Sequence, residues 1–278
     1  MFYNAAQIQV QTENCIMNCI RFGSGTKTMV LISGLNLQDV RGIRALSGLL
    51  VLYRSFAQAY TVYCFDRREN VPEGFSIEDI AQDIADGMDA LHLKDAYVLA
   101  VSQGGMAAQV LAARRPDLVK KMVLGVTACR VNETITENIR RWCLMAERSE
   151  INQIFADYAL RTYSKGYLQK YGKLLPLAAR FAKMMDHQRF IRLAETILSF
   201  DCREILKNIR CSVLVLDGAE DHIVTAEAGK EIASILRCER YVYPGYGHSV
   251  YEEQAADINR RVREFFNMET EVNDDRNR

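Results

Sequence analysis

Ala96-Tyr97-Val98-Leu99-Ala100-Val101-Ser102-Gln103-Gly104-Gly105-Met106 is the stretch from which the fold can be read. Ala96–Val101 is short, apolar and partly β-branched, the texture of a strand covered on both faces. It runs directly into a serine flanked by small residues, and a helix-compatible segment begins near Gly104–Met106. A strand that passes into a helix through one residue must turn tightly, so the positions two before and two after the serine must be small. The serine oxygen then projects above the sheet, with a helix N-terminus and the next backbone N–H beneath it. The motif is G-x-S-x-G with Ala100 in the first glycine position.

The same strand texture recurs on both sides of this turn. Thr28–Ile32, Thr61–Phe65, Lys121–Val126 and Ser212–Leu216 are short buried-strand runs, and Arg240–Tyr243 is a further strand-like run. Gln7–Thr12 alternates apolar and polar residues as a half-buried edge strand does, with Ile16–Phe22 as its partner. Ile77, Ile80, Ile84, Met88 and Leu91 share one face of a helix, and Ser76 with Asp79 has the spacing of a capping interaction. Ile258, Val262 and Phe265 form another helical stripe. Buried strands alternating with amphipathic helices predict an α/β architecture: a mostly parallel central sheet flanked by helices.

Between about 128 and 210 the pattern changes. No buried strand is recognisable there, and Thr134–Glu147, Glu150–Tyr163 and His187–Phe200 read as helices. The expected organisation is therefore a core of residues 1–127 and 211–278 with a helical cap inserted at 128–210. The insertion is enriched in aromatics, which suits a surface presented to a small-molecule ligand; Trp142 and Tyr158 are candidates for substrate contact. The tail 269–278 is polar and reads as frayed.

Composition limits what the chain does. Of its 278 residues 49% are apolar and 25% charged, and Lys plus Arg equals Asp plus Glu at 35 each. No basic field exists to draw in nucleic acid or an anionic membrane. The strongest apolar runs, such as Leu46–Tyr53, are far shorter than the roughly 18 residues of a membrane helix. No basic-then-apolar leader opens the sequence, so the expected location is cytoplasmic. The eight cysteines are then expected as reduced, structural thiols. Cys15 and Cys19 have a usable metal spacing but no second Cys/His pair, so no metal is expected. No cofactor motif is present, and the oligomeric state is not legible.

A serine hydroxyl needs a base, and the base needs an orienting carboxylate. Of the four histidines, His92 ends a helix and His187 lies in the insertion, while His222 and His248 follow the later strands. His248 sits in Tyr243-Pro244-Gly245-Tyr246-Gly247-His248, a Gly-rich loop after the last strand that is free to swing toward the serine. Leu216-Asp217-Gly218-Ala219-Glu220-Asp221 offers three acids after a buried strand. The chain order is serine, acid, histidine.

These features resemble the α/β-hydrolase superfamily from about Thr28 to Phe266. The resemblance rests on Leu31-Ile32-Ser33-Gly34-Leu35, the serine turn, Gly218-x-x-Asp221, Gly247-His248 and the helical insertion. It implies Ser102 as nucleophile, His248 as general base and Asp221 as its orienter, with the backbone N–H groups of Leu35 and Gln103 as the oxyanion hole. It further implies a serine hydrolase that cleaves a small carboxylic ester or amide through an acyl-enzyme. Carbon–carbon bond hydrolases, proline-releasing aminopeptidases and cofactor-free haloperoxidases share the same triad, and a ligand-binding protein with little turnover is the reading from another class. Three departures stand out. Ser33-Gly34 replaces histidine-glycine, Ala100 replaces glycine, and Asp66-Arg67-Arg68-Glu69-Asn70 lacks the glycine of the family's aspartate-arginine-glycine loop. This last segment is expected to be a charged surface turn.

Overall fold

A computed structural model of the chain describes residues 2–175 and 186–268. The polar tail 269–278 and residues 176–185 of the insertion lie outside the described residues.

Eight strands form one sheet: β1 (Ala6–Gln11), β2 (Ile16–Phe22), β3 (Lys27–Ile32), β4 (Tyr60–Arg68), β5 (Ala96–Val101), β6 (Val119–Gly125), β7 (Ser212–Gly218) and β8 (Glu239–Tyr243). Their spatial order is β1-β2-β4-β3-β5-β6-β7-β8. β1 and β2 pair antiparallel, β2 joins β4 antiparallel, and every pairing from β4 onward is parallel. Parallel neighbours require crossovers, and helices supply them on both faces. These crossover helices are α1 (Gly42–Tyr53), α2 (Ile77–Ala90), α3 (Gln103–Arg114) and α8 (Ala226–Leu236); after β8 the one-turn α9 (Val250–Glu253) leads into α10 (Ala255–Asn267), which packs on the sheet without joining two strands.

Helix α2 shows how directly the sequence encodes this. Ile77, Ile80, Ile84 and Met88 are all buried along one face. Its start is a capping box in which Asp79 N donates to Ser76 Oγ at 3.1 Å and Ser76 N donates to Asp79 Oδ2 at 2.9 Å. Aspartate thus serves where glutamate is usual. α1, by contrast, grows from the Leu46–Tyr53 run without a side-chain N-cap, and Tyr53 is its one buried residue.

The sheet divides the core in two because successive side chains point to opposite faces. Val30, Ile32, Phe65, Val98 and Ala100 pack with α2, α3 and the insertion. Leu31, Cys64, Leu99 and Val101 pack with α1 and α10.

Between β6 and β7 the chain leaves the sheet as α4 (Glu133–Glu147), α5 (Ile151–Thr162), α6 (Lys165–Tyr171) and α7 (His187–Glu195). α7 is shorter than its apolar pattern predicts, since the chain turns after Glu195 and Phe200 lies beyond the helix. The excursion is closed at its root by an antiparallel bridge between Arg130 and Asp201, with Cys202 N donating to Cys129 O at 2.8 Å.

β3 is flanked by β4 on one side and β5 on the other, so the strand order reverses there. Open α/β sheets bind ligands at such a point, beyond the C-terminal ends of the strands. The loop Ser33-Gly34-Leu35 and the turn at Ser102 both emerge at that place.

Candidate active site

Ser102 occupies φ 52°, ψ −126°, a backbone conformation that side-chain-bearing residues rarely adopt. The surrounding chain imposes it. Ser102 N donates to Gly125 O at 2.9 Å, and Thr127 Oγ1 donates to Ser102 O at 2.7 Å. Two residues on, a Cβ at Gly104 would fall inside contact distance of the Ile32 and Ser33 carbonyl oxygens, so only glycine fits. Ala100 is fully buried beside Ile32 and Leu124, and its methyl group is accommodated without displacing the turn. Gly34 backs onto the serine: a Cβ there would lie 3.0 Å from Ser102 Cβ.

His248 arrives on the loop after β8. Its Nε2 lies 3.0 Å from Ser102 Oγ and its Nδ1 lies 2.7 Å from Asp221 Oδ2. Asp221 Oδ1 accepts from Ile223 N at 2.8 Å and Val224 N at 3.0 Å. Burial pushes the Asp221 carboxyl up, but the adjacent His248 and the two backbone donors outweigh it and hold the group below its ordinary value. The acid loop and the histidine loop are tied by Ala219 N to Tyr243 O at 3.0 Å and Glu220 N to Tyr246 O at 2.9 Å. With the imidazole proton on Nδ1, donated to Asp221, Nε2 is left to accept the serine proton.

The other candidate acids and bases are elsewhere. Glu220 and His222 are exposed, as are His92 and, in part, His187. The Asp217 carboxylate accepts from Arg240 Nε at 2.6 Å and lies against Gly229 of α8. Strand alternation sends the last side chain of β7 to that face, away from His248. Burial pushes its carboxyl up to about 6, with Arg240 opposing.

Gln103 opens α3, so its N–H has no intrahelical acceptor and stands free beneath the serine. Leu35 follows Gly34 on the facing loop and is buried. Of the two aromatics, Trp142 is 3% exposed inside the insertion, where its Nε1 donates to Asp157 Oδ2 at 2.9 Å. Tyr158 is half-buried, 5.4 Å from Trp142 between ring centroids. Burial raises the Tyr158 phenol, Glu252 and Asp221 add to that rise, and a hydrogen bond with Tyr251 opposes it. Trp142 thus belongs to the insertion's interior, and Tyr158 packs against it, partly open at the surface.

The expected surface turn at 66–70 is a correction. Asp66 and Arg67 are each only 5% exposed, because the 33–35 loop, α7 and Val40 close over the end of β4. Arg68 ion-pairs with Asp83, and Glu69 and Asn70 remain at the surface. The missing glycine was the visible signal that this segment is unusual; sequence reasoning missed Arg67, Thr127 and the Gln103 side chain as residues of the site.

Among the described residues no cluster of His, Cys, Asp and Glu could hold a metal ion, and no helix is long and apolar enough to cross a membrane. The chemistry within reach is that of a hydroxyl activated by a hydrogen-bonded imidazole and a buried carboxylate, beside backbone donors able to receive negative charge.

Comparison with known proteins agrees with this fold. The family model described as "Alpha/beta hydrolase family" matches residues 30–261. The chain is 23% identical over 193 residues to 3-oxoadipate enol-lactonase 2 of Acinetobacter baylyi, covering 68% of this chain and 70% of that one. Among solved structures it is similar to MGS-M2, an alpha/beta hydrolase from a Medee basin deep-sea metagenome library, with TM-score 0.82 and 16% identity over 94% of this chain and 98% of that one. It is also similar to the enol-lactonase of Burkholderia xenovorans LB400, with TM-score 0.81 and 21% identity over 94% and 100%.

Proposed function

The chain belongs to the alpha/beta hydrolase family, and from that premise we propose that it is a serine hydrolase acting on a small carboxylic ester or amide. The observation that carries this reading is the unbroken hydrogen-bonded chain Ser102–His248–Asp221 at the sheet's switch point. Ser102 Oγ attacks the acyl carbon while His248 Nε2 takes its proton, and Asp221 stabilises the imidazolium. The carbonyl π pair moves to oxygen, and the N–H groups of Leu35 and Gln103 receive the resulting oxyanion. Collapse expels the alkoxide or amine, which leaves with the proton from His248. Water, deprotonated by the same imidazole, then cleaves the acyl-enzyme to the carboxylic acid and free serine.

The relatives named as enol-lactonases favour esters as the first substrates to try, since a lactone is an internal ester. The helical excursion at 128–210 acts here as a cap over the C-terminal ends of the strands, and Tyr158, half-buried beside Trp142, is its candidate for substrate contact. Eight free thiols suit a cytoplasmic setting.

The test is a fluorophosphonate probe and a panel of small esters, lactones and amides, run on the wild-type chain and on Ser102→Ala. Covalent labelling and turnover that both vanish in the variant are expected. A folded wild-type chain that takes no label and turns nothing over, yet binds panel members, points instead to a ligand-binding protein. Turnover that survives in Ser102→Ala refutes the nucleophile.

A further inference from the structure

Arg67 is costly where it stands. It is buried, and two of its guanidinium nitrogens, Nε and Nη1, have no hydrogen-bond partner among the described residues. A buried unmade hydrogen bond costs about 1–3 kcal/mol, and more on a charged group. Burial draws its basicity down to about 10, opposed by the neighbouring Asp66. Asp66 does not cap it side chain to side chain; its Oδ1 accepts from Arg67's own backbone N–H at 2.8 Å and its Oδ2 from Val40 N at 3.0 Å. Local rules broken at such expense mark functional positions more often than idle ones.

The one satisfied nitrogen shows what the residue does. Arg67 Nη2 donates to Ser33 O at 2.6 Å and to Gln103 Oε1 at 3.2 Å. Ser33 begins the loop that carries the Leu35 N–H, and Gln103 carries the other proposed oxyanion donor on its backbone. A single nitrogen therefore grips both halves of the hole. The grip continues outward: Gln103 Nε2 donates to Leu193 O at 2.7 Å and Thr196 Oγ1 at 3.1 Å, where α7 ends. Asn36 Nδ2 closes the loop on itself by donating to Ser33 Oγ at 2.9 Å.

Resting on the hydrolase reading above, we infer that Arg67 is a positioning residue: with the Gln103 side chain it braces the Leu35 and Gln103 N–H groups onto one point and fastens that point to α7. The brace stands at the loop where Ser33 takes the place of the family's histidine. Arg67 touches no reacting atom. Its role is to fix donors that must meet charge as it develops, where pre-set geometry is worth most.

The test compares the wild-type chain, Arg67→Met, Arg67→Lys and Gln103→Leu, the last keeping its backbone N–H. Each is assayed on a p-nitrophenyl ester and against a trifluoromethyl ketone and the product acid of matching chain length. The serine oxygen adds to the ketone carbonyl, giving a tetrahedral adduct whose negative oxygen sits between the donors; the acid forms no such adduct. In Arg67→Met and Gln103→Leu, kcat should fall about 10- to 100-fold, the scale of a misplaced or weakened oxyanion donor. KM and acid affinity should hold within about two-fold, ketone affinity should fall with kcat, and Arg67→Lys should recover part of the loss. Should Arg67→Met fail to fold, Gln103→Leu carries the same comparison. Variants with wild-type kcat and ketone affinity, or with ketone and acid weakened alike, overturn the brace. A wild-type chain without Ser102-dependent turnover or labelling overturns the hydrolase reading, and the brace's role with it, in an arm separate from the variants.

Discussion

Replacing Asp221 by asparagine tests the site at the one bond that sets the histidine's tautomer. The two carboxylate oxygens have different partners: Oδ1 accepts from the backbone of Ile223 and Val224, and Oδ2 receives His248 Nδ1. An amide can keep the first pair of bonds only by placing its oxygen at Oδ1. Its NH2 then faces Nδ1 at a separation of about 2.7 Å in the present geometry and must donate to it. The imidazole proton is driven to Nε2, which can no longer accept from Ser102. The flipped amide keeps the tautomer but sets its N–H groups against two backbone donors, leaving both buried N–H groups unmade at about 1–3 kcal/mol each. The first arrangement wins, and the wrong tautomer lowers turnover by up to about 10⁴-fold, some 5 kcal/mol of barrier. The measurement is kcat at neutral pH on an ester identified in the panel, alongside the fluorophosphonate labelling rate, with folding checked by thermal melting. A folded Asp221→Asn chain within about ten-fold of wild type would refute the tautomer argument; a dead Asp217→Asn beside it would move the orienting acid to the end of β7.

The remaining expectations concern the frame around that bond. His248→Ala should abolish turnover, whereas His222→Ala, altering an exposed side chain, should leave kcat nearly intact; equal losses in the two would show that the geometry does not identify the base. Gly104→Ala would drive a methyl group into the Ile32 and Ser33 carbonyls, so urea denaturation should show a loss of at least ~2 kcal/mol together with loss of Ser102 labelling, and an unchanged midpoint would contradict the packing. Burial lifts the Asp217 carboxyl from 3.8 to about 6 in the folded chain. Its contribution to stability is therefore complete below about pH 4 and lost as pH rises through about 6, by ~3 kcal/mol at most. The stability gap between wild type and Asp217→Asn should shift in favour of wild type between pH 7 and about pH 4.5, and a gap independent of pH would remove that account.

Local sterics and periodicity are written in the amino-acid order and can be read from it. The serine turn is legible because its requirements fall on neighbours in the chain: a buried strand before it, and at Gly104 a residue with no side chain. The α2 stripe and its Ser76–Asp79 cap are legible for the same reason, since every partner lies within a few residues. The order of Ser102, the acids and His248 was open to reading, because parallel strands end at one edge of the sheet and loops there can meet. Choosing Asp221 from three acids needed the family resemblance, since the spacing alone left Asp217 and Glu220 open.

Which charges are buried depends on contacts between segments far apart in the chain. Asp66-Arg67-Arg68-Glu69-Asn70 reads as a surface turn, because five polar residues carry no sign of what will cover them. The cover comes from the 33–35 loop and from α7, which is some 120 residues away in the chain, and neither leaves a mark on the segment itself. Trp142 and Tyr158 are both aromatic and both helical, and their rings pack on each other, yet Trp142 is buried and Tyr158 only half-buried; composition cannot say which of two such rings the folded chain will cover. Gln103 shows both limits at once. Its backbone place at the start of α3 follows from being the residue after the serine, while its side chain's grip on Arg67, Leu193 and Thr196 exists only once the insertion has folded back over the sheet.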